Sequence, residues 1–370
     1  MTYLASARRL VVKIGSALLV GRDGEINRLW LESLCDDLAQ CRMRGQEIIV
    51  VTSGAVAIGR RHLGLAGGPL ALDEKQAAAA TGQIRLAHAY QETLARHGLS
   101  VAQVLLTIDD SENRRRYLNA RNTLETLLRL GAVPVINEND TVATAEIRFG
   151  DNDRLAARVA QMIGADTLVL FSDIDGLYTG DPRRDPDARF IPEVNELTPE
   201  IEAMAGDPGS AVGTGGMVTK LMAARIALAA GCRMAIAPGK PMNPLRAMQS
   251  GGRCTWFHPS QEPQTARKQW IAGSVKPQGS LTVDHGACRA LQKGGSLLPA
   301  GVTGVEGDFQ KGETVVVVND EGRPVARGLT AYSSEDAKRI IGHKSGDFEG
   351  LLGYRGRDEI IHRDDLVLEA

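Results

Sequence analysis

The stretch EIIVVTSGAVAIG, residues 47–59, decides the fold. After Glu47 come four apolar β-branched residues, a composition typical of a strand buried on both faces. Ser53 and Gly54 interrupt this run, and an apolar helix-like segment follows them. A strand, a glycine corner and a helix in this order form one βα unit, the building block of a parallel sheet.

The same unit recurs along the first 257 residues. The further strand-like runs are LVVKI (10–14), SVAQVLL (100–106), AVPVI (132–136), DTLVLF (166–171) and RMAIA (233–237). Longer amphipathic segments separate them, and one of these carries Leu31, Leu34, Leu38 and Cys41 on a single helical face. We therefore predict an α/β fold with an open, mostly parallel sheet between layers of helices.

The character of the chain changes after residue 258. Prolines 259, 263 and 277 mark a polar connector. Beyond it lie short strands with turn signals, including a hairpin that turns at Asn319 to Gly322. The predicted domains are a catalytic domain at 1–259, a linker at 260–277 and a small β-rich domain at 278–370.

Composition excludes several classes of protein. The 43 Lys and Arg residues nearly balance the 45 Asp and Glu residues, which argues against a general nucleic-acid coat. The five cysteines form no CxxC pair, so neither a disulfide framework nor a zinc site is expected. No run of about 18 apolar residues predicts a membrane span, and no apolar segment near the start resembles an export signal. We predict a soluble, cytoplasmic protein.

Polar and small residues follow the predicted strands, where an open parallel sheet binds its ligands. They are Gly15 and Ser16, Ser53 and Gly54, Asn137 to Asp140, and Ser172 and Asp173. A fold without a site would also place small residues at any one corner. Several such corners together favour an anion-binding site, because glycine allows close approach and helix N-termini present free N–H groups.

Two lysines point to phosphoryl transfer. Lys13 ends a buried strand, where its charge is costly without a negative partner, although it could also extend to solvent. Lys220 follows a glycine- and threonine-rich loop from residue 213 that matches neither Walker A nor GxGxxG. That loop is equally compatible with an anion nest and with a flexible segment capped by Thr214. Lysines beside acidic and amide residues fit a reaction that depends on positioning and charge stabilisation.

The stretch VINENDTVATAEIRFGDNDRLAARVA, residues 135–160, places many short polar side chains between two core elements. A strand is predicted to end at Ile136 and a helix to begin near Arg154. The passage is either a long solvated turn or part of the site.

Taken together, five motifs closely resemble the glutamate-phosphorylating branch of the amino acid kinase family. They are VVKIGSALL, VVTSGAVAIG, PVINENDTVATAEIRFGDND, SDIDGLYTGDPR and GTGGMVTKLMAA. The C-terminal domain resembles a PUA domain, so the resemblance covers nearly the whole chain. It implies ATP-dependent, Mg²⁺-requiring phosphorylation of the γ-carboxylate of L-glutamate, the first step of proline biosynthesis.

The resemblance also assigns residues to roles. It implies that Lys13, Lys220 and Asp153 are catalytic and that Ser53, Asp140 and Asn152 bind glutamate. Ser172 stands where the family more often has threonine. The implied ATP- and phosphate-binding residues are Lys13, Gly15, Gly54, Ser172, Asp173, Thr214, Gly215, Gly216, Met217, Val218, Thr219 and Lys220. No protein ligand for a metal is predicted.

Regulation and partners follow from the same resemblance. It implies feedback inhibition by proline through a loop around Glu146, a homo-oligomer, and glutamate-5-semialdehyde dehydrogenase as the partner that receives the acyl phosphate. Two alternatives stay open. One is a related kinase with another carboxylate acceptor. The other is an RNA-binding role of the PUA domain, against which the balanced charge and the lack of an RNP-like motif argue.

Overall fold

The computed structural model describes residues 3–21, 23–65, 67–142, 152–205, 216–263, 265 and 277–369. This part of the chain divides into two compact units. One lies within Met1–Glu112 and Asn119–Pro263, the other within Asn113–Leu118 and Gln264–Ala370. Of the helices in these ranges, none has both the length and the apolar character that a membrane crossing requires.

The first unit is built on an eight-stranded sheet and a short two-stranded one. The strands are β1 (Arg9–Ile14), β2 (Glu47–Val51), β3 (Val101–Leu106), β4 (Val133–Glu138), β5 (Thr167–Ser172), β6 (Leu177–Tyr178), β7 (Phe190–Ile191), β8 (Glu193–Val194), β9 (Arg233–Pro238) and β10 (Thr255–Phe257). The large sheet has the order β3-β4-β2-β1-β5-β9-β10-β8, and β6 pairs with β7. The six neighbouring strands β3, β4, β2, β1, β5 and β9 are parallel, and β10 runs antiparallel to β9. The predicted open, mostly parallel sheet is confirmed.

Helices separate the strands. They are α1 (Ser16–Leu19), α2 (Arg28–Met43), α3 (Ala55–His62), α4 (Leu72–Ala95), α5 (Ile108–Glu112), α6 (Arg114–Arg129), α7 (Asn152–Ile163), α8 (Pro199–Ala203), α9 (Met217–Ala229) and α10 (Pro244–Gln249). The predicted apolar face of α2 is buried, from Leu31 to Cys41. The helix expected near Arg154 begins two residues earlier, at Asn152. β4 likewise continues beyond Ile136, because Asn137 and Glu138 still pair with β3.

The two faces of the large sheet carry different helices. Leu10, Val12 and Ile14 of β1 belong to one apolar cluster with residues of α2, α4 and α10. Side chains alternate along a strand, so Val11 and Lys13 belong to the opposite face. On that side α7 contacts β1, β2, β4 and β5, and it also packs on α9. α7 connects β4 to β5, and β2 and β1 lie between these two strands in the sheet. The helix therefore crosses the centre of the sheet.

The second unit contains a five-stranded sheet with its own core. Its strands are β11 (Gly279–Val283), β12 (Val302–Gly307), β13 (Thr314–Val318), β14 (Pro324–Leu329) and β15 (Leu366–Leu368), in the order β12-β11-β13-β14-β15. The helices are α11 (His285–Gln292), α12 (Ser334–Ile340) and α13 (Phe348–Leu352). β13 and β14 form the predicted hairpin, whose turn ends at Gly322 with a φ of +77°. Phe309, Tyr332 and Phe348 are buried in this separate core.

Candidate active site

The candidate site lies along one edge of the large sheet. β4, β2, β1 and β5 are neighbours and run parallel, so their carboxyl ends face the same way. The corners after these strands carry the polar residues that the sequence singles out. Four segments that are distant in the chain therefore meet at one edge.

Asp153 joins the two lysines. Lys13 Nζ lies 2.5 Å from Asp153 Oδ1, and Lys220 Nζ donates a hydrogen bond to Asp153 Oδ2 over 3.1 Å. Asp153 is fully buried, and the two lysines are 7% and 5% exposed. The buried charge of Lys13 thus has the negative partner that the sequence argument required.

The local structure explains why these three side chains converge. Lys13 lies on the sheet face that α7 covers, one residue before the end of β1. Asp153 is in the first turn of α7, and Lys220 is in the first turn of α9. Because α7 packs on both β1 and α9, its N-terminal turn places the carboxylate between the two ammonium groups. A negative side chain at a helix N-terminus is also favoured by the helix dipole.

The cluster keeps its carboxylate ionised and carries a surplus positive charge. Burial raises the pKa of Asp153, but the charges of Lys13 and Lys220 and their hydrogen bonds outweigh it, so the pKa is lowered overall. One carboxylate then faces two ammonium groups. A buried net positive charge at the ligand edge attracts an anion such as a phosphate.

Asn152, next to Asp153, organises a second corner of the site. Its Nδ2 lies within hydrogen-bond distance of the Thr52 carbonyl (2.6 Å), Ser53 Oγ (2.8 Å) and Asn137 Oδ1 (2.9 Å), so its two N–H groups are shared among three oxygens. All three bonds use the amide nitrogen, so the amide oxygen is the acceptor that Asn152 offers to a ligand. The predicted pair Ser53 and Asn152 is therefore in direct contact. Asp140 lies two residues beyond β4 at the same edge and is half-buried.

Two further residues support this corner: the sequence placed Asn137 among the polar residues after the predicted strand at 132–136 without a role, and it did not single out Gln83. Asn137 is buried, and its Oδ1 also accepts the backbone N–H of Glu138 over 2.9 Å. Gln83 of α4, also buried, donates to the Glu138 carbonyl over 3.4 Å. A polar side chain at the end of a wholly buried strand needs a hydrogen-bond partner, and this requirement could have pointed to Asn137. Gln83 gave no signal, since it sits on an otherwise ordinary helix.

Of the two predicted glycine corners, only Gly54 demands glycine. Its φ of +101° lies in the left-handed region, and an added Cβ would come within 2.8 Å of Val20 Cγ2. Gly15 has a φ of −72°, and its nearest neighbour would be the Phe171 carbonyl at 3.7 Å, an ordinary contact. Backbone conformation and close packing therefore act together at the corner after β2.

The predicted nucleotide residues lie at two places on the same edge. Ser172 Oγ donates to Asp173 Oδ1 over 3.1 Å, and Arg183 lies 2.9 Å from Asp173 Oδ2. Partial burial raises the pKa of Asp173, but the bonds from Arg183 and Ser172 outweigh this and lower it overall. Gly216 precedes α9, and its carbonyl accepts a hydrogen bond from Thr219 Oγ1. Met217 and Val218 complete the first turn, whereas Thr214 and Gly215 lie outside the described residues.

The described residues contain no group of three or more His, Cys, Asp or Glu side chains placed to hold a metal ion. Both oxygens of the buried Asp153 face lysines, which do not coordinate metals as ammonium ions. The positive charge of the two lysines favours an anionic ligand beside them.

Comparison with known proteins identifies the family and the two domains. A model of the amino acid kinase family matches residues 8–238, and a model of the PUA domain matches residues 279–352. A protein named glutamate 5-kinase from Paramagnetospirillum magneticum is 71% identical over 371 residues, covering 100% of both chains. A protein of the same name from Rhodospirillum rubrum is 65% identical over 361 residues, covering 97% of this chain and 96% of its own.

A solved structure shows the same fold at much lower identity. Carbamate kinase from Giardia lamblia bound to AMP-PNP superimposes with a TM-score of 0.50 at 15% identity, covering 69% of this chain and 100% of that one. This likeness concerns the fold alone. The family model covers more than half of the chain, and the full-length relatives exceed 60% identity. The chain therefore belongs to the amino acid kinase family.

Proposed function

We propose that this chain transfers the γ-phosphoryl group of ATP to the γ-carboxylate of L-glutamate, a glutamate 5-kinase activity that begins proline biosynthesis. The names of the full-length relatives support this activity. The structural observation that carries it is the buried pair of lysines held by one carboxylate at the ligand edge. Such an arrangement supplies fixed positive charge without a nucleophile of its own.

The lysines stabilise negative charge as the phosphoryl group moves. Lys13 serves the transferring group, because it lies in the centre of the sheet edge, and Lys220 serves the ATP phosphates from the start of α9. Asp153 aligns both ammonium groups through its two oxygens. Phosphoryl transfer depends mainly on positioning and charge stabilisation, so preset cations lower its barrier.

Glutamate binds at the corner that Asn152 organises. Ser53 and Asn152 hold one part of the amino acid, and Asp140 binds its ammonium group. The γ-carboxylate is already ionised at neutral pH, so it attacks the γ-phosphorus directly in line and no general base is needed. The product is an acyl phosphate, which is prone to hydrolysis.

ATP occupies the adjoining part of the edge. Ser172 and Asp173 border the nucleotide, and the segment from Thr214 to Lys220 contacts its phosphates. The backbone N–H groups of Gly15 and Gly54 approach the transferred phosphoryl group. Magnesium would enter with ATP as the Mg²⁺–ATP complex and would supply further positive charge beside the phosphates, next to Lys13 and Lys220.

The remaining parts of the proposal concern the cell. We infer a cytoplasmic homo-oligomer that passes its product to glutamate-5-semialdehyde dehydrogenase. Proline inhibits it through the loop around Glu146, which lies outside the described residues. Residues 1–259 form the catalytic domain, 260–277 the linker and 278–370 the PUA domain.

An acceptor-resolved assay tests the activity. ADP release is measured with glutamate, aspartate, acetylglutamate and UMP, and hydroxylamine traps any acyl phosphate. We expect glutamate-dependent ADP release with an equal yield of hydroxamate. ADP release independent of glutamate, or faster with another acceptor, would contradict the proposal.

Asn152→Ala tests the glutamate corner. Losing one hydrogen bond to a charged ligand should raise the KM for glutamate roughly 10- to 100-fold, with little change in the KM for ATP. Asn195→Ala, at an exposed asparagine, is the matched control and should behave as wild type. An unchanged glutamate KM in Asn152→Ala would remove Asn152 from the acceptor site.

A further inference from the structure

Gly239 lies at the candidate site although no motif singled it out. It follows β9 directly and is buried. Its N–H donates to the Ser172 carbonyl over 2.8 Å, and its carbonyl accepts the indole Nε1–H of Trp30 over 2.7 Å. Trp30 is itself buried in α2. The backbone of Gly239 is therefore held from two sides.

Gly239 leaves no room for a side chain. A Cβ at this position would lie 2.1 Å from Leu18 Cδ1, 3.0 Å from Cδ2 and 3.1 Å from Cγ. The 2.1 Å approach is closer than real Cβ atoms come to another carbon, and the atoms that it meets belong to the far end of the Leu18 side chain. Leu18 is buried among the apolar residues between α2 and the sheet. Either the glycine backbone or Leu18 would have to move.

Hydrogen bonds to α2 hold the segment after Gly239 in place. Asn243 N–H donates to Ser33 Oγ over 3.1 Å, and Asn243 Nδ2 donates to the Ser33 carbonyl over 2.8 Å. The buried Asp37 accepts the Leu245 N–H over 2.9 Å. Both ends of the short loop from residue 239 to 243 are thus tied to α2. Leu18 is the part that must move.

Leu18 belongs to the turn that follows Lys13. Its N–H donates to the Gly15 carbonyl over 3.2 Å, and the Val20 N–H donates to the Ser16 carbonyl over 2.9 Å. Gly54 approaches the same turn, where its Cβ would lie 2.8 Å from Val20 Cγ2 and 3.7 Å from Ser16 Cβ. Two glycine corners, after β2 and after β9, are therefore close to the one-turn helix α1 and the residue that follows it.

We propose that Gly239 is a positioning residue for phosphoryl transfer, acting through Leu18 on the turn from Gly15 to Leu19 beside Lys13. This inference rests on the proposed function, in which the Gly15 backbone approaches the transferred phosphoryl group. A side chain at 239 displaces Leu18 and moves that backbone. The glutamate corner, built on Asn152 and Ser53, is left in place.

The test is a double-mutant cycle with Gly239→Ala and Leu18→Ala. Gly239→Ala should lower kcat about 10- to 100-fold, because a displacement near 1 Å costs that much, while the KM for glutamate stays within about twofold. Leu18→Ala removes the three atoms that the new methyl would meet. The double variant should therefore recover at least about fivefold in kcat over Gly239→Ala. Gly67→Ala, where a Cβ meets open space, is the matched control.

The outcomes separate this inference from the proposed activity. The kcat of every variant is measured with the acceptor that the wild type prefers. The double-mutant cycle therefore still tests Gly239 if that acceptor is not glutamate. Wild-type kcat in Gly239→Ala, or a double variant no more active than it, would overturn the inference. If Gly239→Ala does not fold, the double variant decides. Without the three Leu18 atoms it should fold, with a kcat and a glutamate KM close to those of Leu18→Ala. Failure of the double variant to fold, or a kcat tenfold or more below that of Leu18→Ala, would overturn the inference.

Discussion

Replacing Asp153 by asparagine should destabilise the protein and, at the same time, tighten its binding of ATP. The substitution keeps the shape of the side chain and removes the charge between Lys13 and Lys220. In the native cluster two ammonium groups face one carboxylate, a net charge of +1. In the variant the same three side chains carry +2 between them.

The magnitude follows from the burial of all three groups. Removing one partner of a buried ion pair costs about 3–5 kcal/mol, because the remaining charge is left uncompensated. For a unit of this size, that corresponds to a fall in Tm of roughly 6–20 °C. A polyphosphate that enters the site replaces the missing negative charge. Recovering even about 1.4 kcal/mol of the loss on binding makes the Kd for ATP tenfold lower.

The assay is thermal unfolding with and without Mg²⁺–ATP, together with calorimetric titration of the nucleotide and measurement of kcat. We expect Asp153→Asn to have a lower Tm, a larger ATP-induced rise in Tm and a lower kcat, since the lysines lose their alignment. Asp37→Asn is the control, because Asp37 is equally buried but caps α10 away from the lysines. The reasoning is refuted if ATP binds Asp153→Asn no more tightly than wild type, or if Asp37→Asn gains the same affinity.

Three further predictions concern stability and local packing. The folded pKa of Asp153 is below the ordinary 3.8, because the lysines outweigh burial. Its ionised form therefore stabilises the fold above pH 3.8, and this stabilisation is lost as the pH falls through 3.8 towards the folded pKa. The free energy of unfolding of Asp153→Asn should not show this loss when it is measured over the same acid range. Gly59→Ala places a Cβ 1.7 Å from the Ala78 carbonyl and should cost about 1–3 kcal/mol or more in the free energy of chemical unfolding. Gly54→Ala combines a left-handed φ with a 2.8 Å approach to Val20, so it should lower both Tm and kcat/KM, unlike Gly67→Ala.

The sequence predicts the six parallel strands from β3 to β9 in the sheet order because each has a local apolar signal, whereas the short strands β8 and β10 were not predicted. Four apolar β-branched residues after Glu47, followed by Ser53 and Gly54, need no partner to be recognised as a βα unit. The same holds for β1, β5 and β9, whose continuous apolar runs reflect burial on both faces. The position of the site follows too, since parallel strands bring their carboxyl ends to one edge.

Contacts between distant segments are less accessible to such reasoning. The sequence placed Asn137 among polar residues but did not reveal that it holds Asn152, because that contact depends on β4 lying next to β2. Gln83 and Gly239 were missed for the same reason. Their importance comes from the Glu138 carbonyl and from Leu18, which lie 55 and 221 positions away in the chain. No local periodicity encodes the order of strands in a sheet.

One helix end links the two halves of the site. Successive residues of a helix point about 100° apart, so Asn152 and Asp153 at the start of α7 face different neighbours. Asn152 reaches the corner between β2 and β4, whereas Asp153 reaches β1 and α9. In the proposed function glutamate binds beside Asn152 and the ATP phosphates bind beside the lysines that Asp153 holds. The distance between the two substrates then depends on the one peptide unit that joins Asn152 to Asp153. A shift of α7 would then misplace acceptor and donor together, so mutations along its buried face should affect the KM for both substrates and kcat at once.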